Sequence, residues 1–223
     1  MNLPLEEYLK PTPAIDCETG SIKEKAQELT SGQEKIAEKA KSLFYFVRDE
    51  IKYNPFSPHY LPEHYRASTI LDRGEGYCVQ KAVLLTALAR AIGIPARLRF
   101  ANIRNYLPFG KLAEIMETNL FVYHGYDELY IEGKWVKATP TFDLKMCQDH
   151  RIIPVEFDGK KDALFHSHNQ DGELQIEYVH DHGHYQALPL DEIHNARAQA
   201  YGSEVAERLK MADPYNKTLS PEG

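Results

Sequence analysis

The chain has 223 residues, 43% hydrophobic and 26% charged, enough for a single domain with a substantial core. A net charge of −7 disfavours nucleic acid or an anionic membrane as partner, and no apolar run reaches the roughly 20 residues that span a bilayer. Three cysteines, Cys17, Cys78 and Cys147, form no C-x-x-C pair, which argues for a reducing compartment and against a disulfide framework or a cysteine-rich zinc site. The first residues lack a basic stretch followed by an apolar one, so no secretory signal is expected and the predicted location is the cytoplasm.

In chain order, Pro4, Pro11 and Pro13 predict an extended lead-in over residues 1–20. Ser21-Ile22-Lys23-Glu24 and Ser31-Gly32-Gln33-Glu34 both fit the S-x-x-E capping box. They predict a short helix to about Leu29 and a longer one carrying Ile36, Ala37, Ala40, Leu43, Phe44, Val47 and Ile51 at helical spacing, ended by Asn54-Pro55. A loop rich in Pro, Tyr and His follows over 56–65, then a brief helical turn over 67–71. The glycine turn Arg73-Gly74-Glu75-Gly76 leads into an almost wholly apolar helix from Cys78, closed by Gly93 and Pro95. Lys81 and Thr86 are its polar interior residues, so the helix is expected to be covered on both sides. Beyond it, 96–100 alternates like a strand, and 103–116 reads as a loop with a helical piece. Runs 119–131 and 134–142 form a hairpin about Glu132-Gly133, and a second hairpin is expected about residues 169–172. A last helix is predicted over 190–209 with a break at Gly202, before a polar tail over 213–223. Helices first and antiparallel strands after them make the class α+β.

Cys78 falls in the first turn of a buried helix, where unpaired N–H groups and the positive dipole end favour a thiolate. A thiolate nucleophile needs a base, and the base an orienting group. His124 stands mid-strand in an aromatic and aliphatic run, with Gly125 beside it allowing a close approach of backbone or substrate. If Glu132-Gly133 is a two-residue turn, His124 lies opposite Thr141, and period 2 puts Thr139 and Asp143 on the same face. Asp143 is then a diagonal neighbour able to accept an imidazole N–H. A second cluster, His166, His168, His180, His182 and His184, either offers nitrogen ligands to zinc or nickel or decorates a solvated hairpin edge.

Gly76-x-Cys78, continuing Ala82-x-Leu84-Leu85-x-Ala87-Leu88-x-Arg90-Ala91-x-Gly93-Ile94-Pro95-Ala96-Arg97, resembles the core motif of the transglutaminase-like superfamily. His124-Gly125-Tyr126-x-Glu128-Leu129-Tyr130 and Gly133-x-Trp135-Val136-x-Ala138-Thr139-Pro140-Thr141 resemble its second and third motifs, so the likeness covers about residues 70–143. The resemblance implies a papain-like fold, with the nucleophile helix packed on an antiparallel sheet and a Cys-His-Asp site at Cys78, His124 and a carboxylate. The family's Asp stands just before the Pro of the third motif, where this chain has Thr139; Asp143 is the candidate to replace it. The domain plan is a single unit over 1–223, with a core over about 33–145, an appended hairpin and helix over 150–210 and the tail beyond. The implied chemistry is acyl transfer from an amide or peptide through a thioester, without cofactor or metal. The alternatives are a catalytically silent binding module of the same fold and a metal-binding protein built on the C-terminal histidines.

Overall fold

The computed structural model describes residues 4–107 and 111–212. The helices α1 (Gly20–Thr30), α2 (Ile36–Tyr45) and α3 (Ala67–Arg73) surround the central helix α4 (Cys78–Ala91), whose other side lies on the sheet. Val79 to Arg90 of α4 are all buried, as an apolar helix covered on both sides must be. Its buried Lys81 is accommodated because Nζ donates to the carbonyls of Arg48 (3.0 Å) and Ile51 (2.6 Å), at the end of the helical stretch that continues from α2. Burial pushes the Lys81 ammonium down to about 7, against the pull of Asp143 and Asp49.

The sheet has the order β5-β4-β3-β6 and is antiparallel throughout: β3 (Ala96–Asn105), β4 (Leu120–Ile131), β5 (Lys134–Ala138) and β6 (Ile176–Tyr185). Two short strands, β1 (Lys52–Tyr53) and β2 (Glu75–Gly76), pair in parallel and bring the chain that follows α2 to the start of α4. The glycine turn is real. Gly74 closes α3 in the left-handed region (φ +71°), and Gly76 passes so close to Gln80 that a Cβ would lie 3.0 Å from that side chain. One hydrophobic core runs from Ala14 to Ile193.

Several local expectations change. The lead-in is not wholly extended, because the prolines at 4 and 11 leave room for a 3₁₀ turn (Leu5–Leu9), which buries Tyr8 edge-on against Trp135. Helix α1 begins at Gly20 behind Thr19, without a side-chain cap. After Tyr45 the second helix widens into a π turn (Phe46–Glu50); its apolar stripe is buried except for Ile36, which is 46% exposed at the first position. Strand β3 runs on to Asn105, and the helical piece after it is α5 (Lys111–Met116). The second hairpin reduces to one bridge, His168 to Leu174, because β6 pairs with the open edge of β3 instead. The final helix does break at Gly202, into α7 (Leu190–Tyr201) and α8 (Ser203–Ala212). The polar tail expected over 213–223 lies outside the described residues.

Candidate active site

Cys78 opens α4, and its sulfur is met by the backbone N–H groups of Gly125, Val79 and Cys78 itself. This encounter depends on Gly125. A Cβ there would stand 2.9 Å from the Cα of Val79, so only glycine lets β4 come so near the start of α4. Burial pushes the Cys78 thiol up; the Gly125 N–H, the Arg197 guanidinium and the two α4 N–H groups pull the other way without fully offsetting it.

His124 is the neighbour of Gly125 on β4 and is 3% exposed. Just before it the ladder to β3 slips between Ala101 and Ile103, and Tyr123 takes a positive φ of 54°. The extra residue on β4 is a bulge that turns the strand where His124 leaves it. The imidazole stacks on Phe165 at 5.0 Å between centroids, with Tyr126 and Tyr178 on its flanks. Its Nε2 is buried and has no hydrogen-bond partner among the described residues, and burial alone drives its pKa down to about 3. Cys78 and His124 line the same cavity of about 340 Å³, together with Tyr53, Thr141 and Phe165.

Asp143 is not the diagonal sheet neighbour that the hairpin register leads one to expect. The register itself is as expected, with Ile131 opposite Lys134 and Asp127 opposite Ala138. However, β5 stops at Ala138, one residue before Thr139-Pro140, since proline has no N–H to give a ladder. Asp143 instead caps a helix that the sequence reading missed, α6 (Leu144–Asp149). One carboxylate oxygen accepts from the Met146 N–H (2.8 Å) and the other from the Tyr53 N–H (2.8 Å). Thr139, at the family's Asp position, has a buried hydroxyl that approaches the Tyr178 phenol without closing a hydrogen bond.

The C-terminal histidines do not converge. Among the described residues, no three His, Cys, Asp or Glu side chains gather as metal ligands. His182 shares a hydrogen bond with Asn102 (2.7 Å) and stacks on Tyr123, while His168 meets Ser167. Cys17 and Cys147 are buried; burial raises both thiols, Cys147 to about 12.

Sequence reasoning missed the cavity's far wall, which α7 and α8 supply. His194, Arg197 and Tyr201 of α7 line it. Their spacing at i, i+3 and i+7 was the available signal, because it places them on one helix face. The Arg197 Nη1 donates to the Tyr77 hydroxyl (3.2 Å), and its guanidinium lies 5.0 Å over the Tyr77 ring. Tyr77 donates onward to Tyr65 (3.1 Å), and Tyr65 to the His59 carbonyl (2.8 Å).

A match to the core model of the transglutaminase-like superfamily runs over residues 23–140, more than half of the chain, which therefore belongs to that superfamily. The fold is α+β, with the helix that begins at Cys78 packed on an antiparallel sheet. Among solved structures, the chain is similar to a "putative cysteine protease" from Cytophaga hutchinsonii (19% identity, TM-score 0.49, 63% of this chain and 43% of that one). It is also similar to a "putative protease" from Parabacteroides distasonis (17% identity, TM-score 0.38, 60% and 25%) and to a TGase (20% identity, TM-score 0.35, 57% and 31%). The chain spans less than half the length of each of these three structures. No curated protein sequence matches it. Among the described residues, no helix is long and apolar enough to cross a membrane.

Proposed function

We propose that this chain is a thiol enzyme of acyl transfer, with Cys78 as nucleophile and His124 as proton carrier, acting on an amide or peptide. The observation that supports this most is the shared cavity. A half-buried thiol at a helix start faces the same space as a buried imidazole whose Nε2 has no hydrogen-bond partner among the described residues. Burial raises the thiol and lowers the imidazole, so the resting pair is neutral. The proton leaves Sγ for Nε2 as the sulfur bonds to the carbonyl carbon, and His124 returns it to the leaving amine when the C–N bond breaks. Water then hydrolyses the thioester, or a second amine takes the acyl group. The Cys78 N–H and the Tyr53 hydroxyl, which burial keeps protonated, are the donors proposed for the oxyanion. Asp143 contributes by holding the Tyr53 backbone rather than by orienting His124.

One observation favours the second reading, a binding module that has lost its chemistry: Thr139 stands where the family keeps a carboxylate, and Asp143 is engaged elsewhere. Iodoacetamide labelling of the three cysteines, followed by mass spectrometry across pH, separates the two. The enzyme reading expects Cys78 to react at least about tenfold faster than Cys17 and Cys147, and to slow by a similar factor in His124→Ala. If Cys78 reacts no faster than the two buried thiols, the binding module is the better account.

A further inference from the structure

Arg197 is an unusual residue to find on the wall of this cavity. The family match ends at residue 140, so α7 belongs to the part of the chain outside it. The guanidinium donates to the Tyr77 hydroxyl and lies beside that of Tyr65, which leaves most of its five donors for other partners. Burial disfavours its charge, while the neighbouring Tyr77, Tyr65, Cys78 and Tyr201 side chains favour it; no carboxylate is among these influences. The net effect raises its pKa above that of an ordinary arginine, so the charge is permanent. The nearby histidines add none. Burial, followed by Arg197 itself, holds His59 down to about 4 and lowers His194. Among the described lining residues the other charges are Glu207 and Lys210, both on α8; Glu207 is exposed, and Lys210 lies over the Tyr60 ring at 5.4 Å. Half-buried Arg197, with no carboxylate partner among the described residues, faces a mostly apolar cavity that also holds Cys78, and an anion from outside the protein would complete it.

We infer that Arg197 receives a carboxylate of the substrate, so that the amide attacked by Cys78 belongs to an acidic residue or to one bearing a free α-carboxylate. A carboxylate fits better than a phosphate. A single planar guanidinium offers a two-point fork suited to one planar monoanion, whereas a phosphate dianion would need a second cation beside it; His59 and His194 are held neutral, and Lys210 lies over the Tyr60 ring. The Tyr77 ring and hydroxyl hold the guanidinium from one side, which leaves its remaining N–H groups for the ligand. The inference deepens the acyl-transfer reading and rests on it for the identity of the reacting bond.

Two measurements test it, and they fail independently of each other. First, the rates of Cys78 alkylation by anionic iodoacetate and by neutral iodoacetamide are compared in wild type, Arg197→Gln and Arg197→Lys. Removing one charge-assisted contact should lower the iodoacetate-to-iodoacetamide ratio about tenfold or more in Arg197→Gln, with iodoacetamide itself little changed and Arg197→Lys retaining part of the preference. Either form of an unchanged ratio overturns the inference: equal slowing of both reagents would make Arg197 a counter-ion of the thiolate instead, and two unaltered rates would remove it from ligand binding altogether. Second, Cys78→Ala protein, which keeps Arg197, is titrated calorimetrically with N-acetylglutamate α-amide, N-acetylglutamine and N-acetylglutamine amide. The first carries only a side-chain carboxylate, the second only an α-carboxylate, and the third neither. Saturable binding of one acid and not of the neutral amide supports the inference and says which carboxylate is read; binding of none, or of all three alike, overturns it. If Cys78 proves inert to both alkylating reagents, the thiol-enzyme reading falls alone, and the titration still decides whether the carboxylate site exists.

Discussion

The two walls of the cavity are built on different principles. The wall bearing Cys78 and His124 comes from α4 and β4, whose side chains are almost all buried and whose backbones touch at Gly125 and Val79. The opposite wall comes from α7 and α8, which are largely exposed and have few buried anchors: Ile193, and Val205 in a small cluster with Leu112 and Met116. A tightly packed wall can hold reacting atoms to a fraction of an ångström, because close-packed interiors do not deform gradually. A wall of half-exposed helices resting on a few contacts can vary in sequence without disturbing that geometry. Under the proposed function, the difference would place chemistry on the first wall and selection of the ligand on the second.

The largest expected effect tests how dry the first wall is. Lys81 has its pKa depressed from 10.5 to about 7 by burial, so between those values the unfolded chain holds a proton that the folded chain lacks. Folding stability must therefore rise with pH from about 7 upward on this account. In Lys81→Met that contribution disappears, while the opposing one from buried Asp127, whose pKa is raised well above the ordinary carboxylate value, stays in both proteins. Denaturant titrations at pH 7 and pH 9 should show wild type gaining about 2–3 kcal/mol relative to Lys81→Met. Parallel pH profiles for the two proteins would mean that water reaches Lys81 and that the wall is looser than its packing suggests.

The next effect is steric. Gly125→Ala places a methyl 2.9 Å from the Val79 Cα, a backbone atom that cannot step aside as a flexible side chain would. The expected cost is about 1–3 kcal/mol in unfolding free energy. It should be accompanied by slower alkylation of Cys78, because the same displacement moves the Gly125 N–H away from the sulfur. A variant as stable and as reactive as wild type would show that β4 and α4 can separate without consequence.

These residues also show what the sequence could and could not reveal. Gly76, Cys78 and the apolar run to Ala91 were legible because each signal is local: a glycine turn, a helix start, a helix with almost no polar face. The strand holding His124 and the register of its hairpin were legible for the same reason. Asp143 misled because period-2 reasoning assumes that the strand continues, and Pro140 ends it; the short cap-and-turn of α6 carries too little pattern to announce itself. Arg197 lay beyond reach because its place depends on how α7 folds back over the cavity. That docking depends on contacts far away in sequence, such as Tyr201 with Val122 and Arg197 with Tyr77. The histidine-rich segment left two readings open, a metal site on paired strands or a solvated edge, because strand pattern alone does not say whether rings meet around one point; among the described residues no three such ligands do.

The second wall can be probed where it is fastened. The Tyr201 hydroxyl accepts a hydrogen bond from the buried Val122 N–H at 2.7 Å, linking α7 to β4. Tyr201→Phe keeps the ring and strands that N–H, so stability should fall by about 1–2 kcal/mol. The loss should appear mainly as faster amide hydrogen exchange in α7 and α8, with α4 protected as before. Exchange that speeds up equally in α4 would mean that the two walls open together, and the contrast between them would not hold.

The smallest effect concerns the ion pair that joins α8 to the end of α5, Arg208 with Glu117 at 2.6 Å. Both partners are well exposed, and Arg208 has a second, longer contact with Glu204 at 3.5 Å. Water and salt screen such a pair, and ordering two long side chains offsets most of its attraction. Arg208→Gln should therefore leave the denaturation midpoint within the scatter of repeat titrations, and adding salt to wild type should do no more. The comparison with Tyr201→Phe is what gives the measurement its force. If losing the exposed charge loosens α7 and α8 as much as losing the buried hydroxyl, the second wall is held by surface electrostatics. Its grip on a ligand carboxylate at Arg197 would then weaken with ionic strength through loss of the wall itself, and not only through screening of the contact.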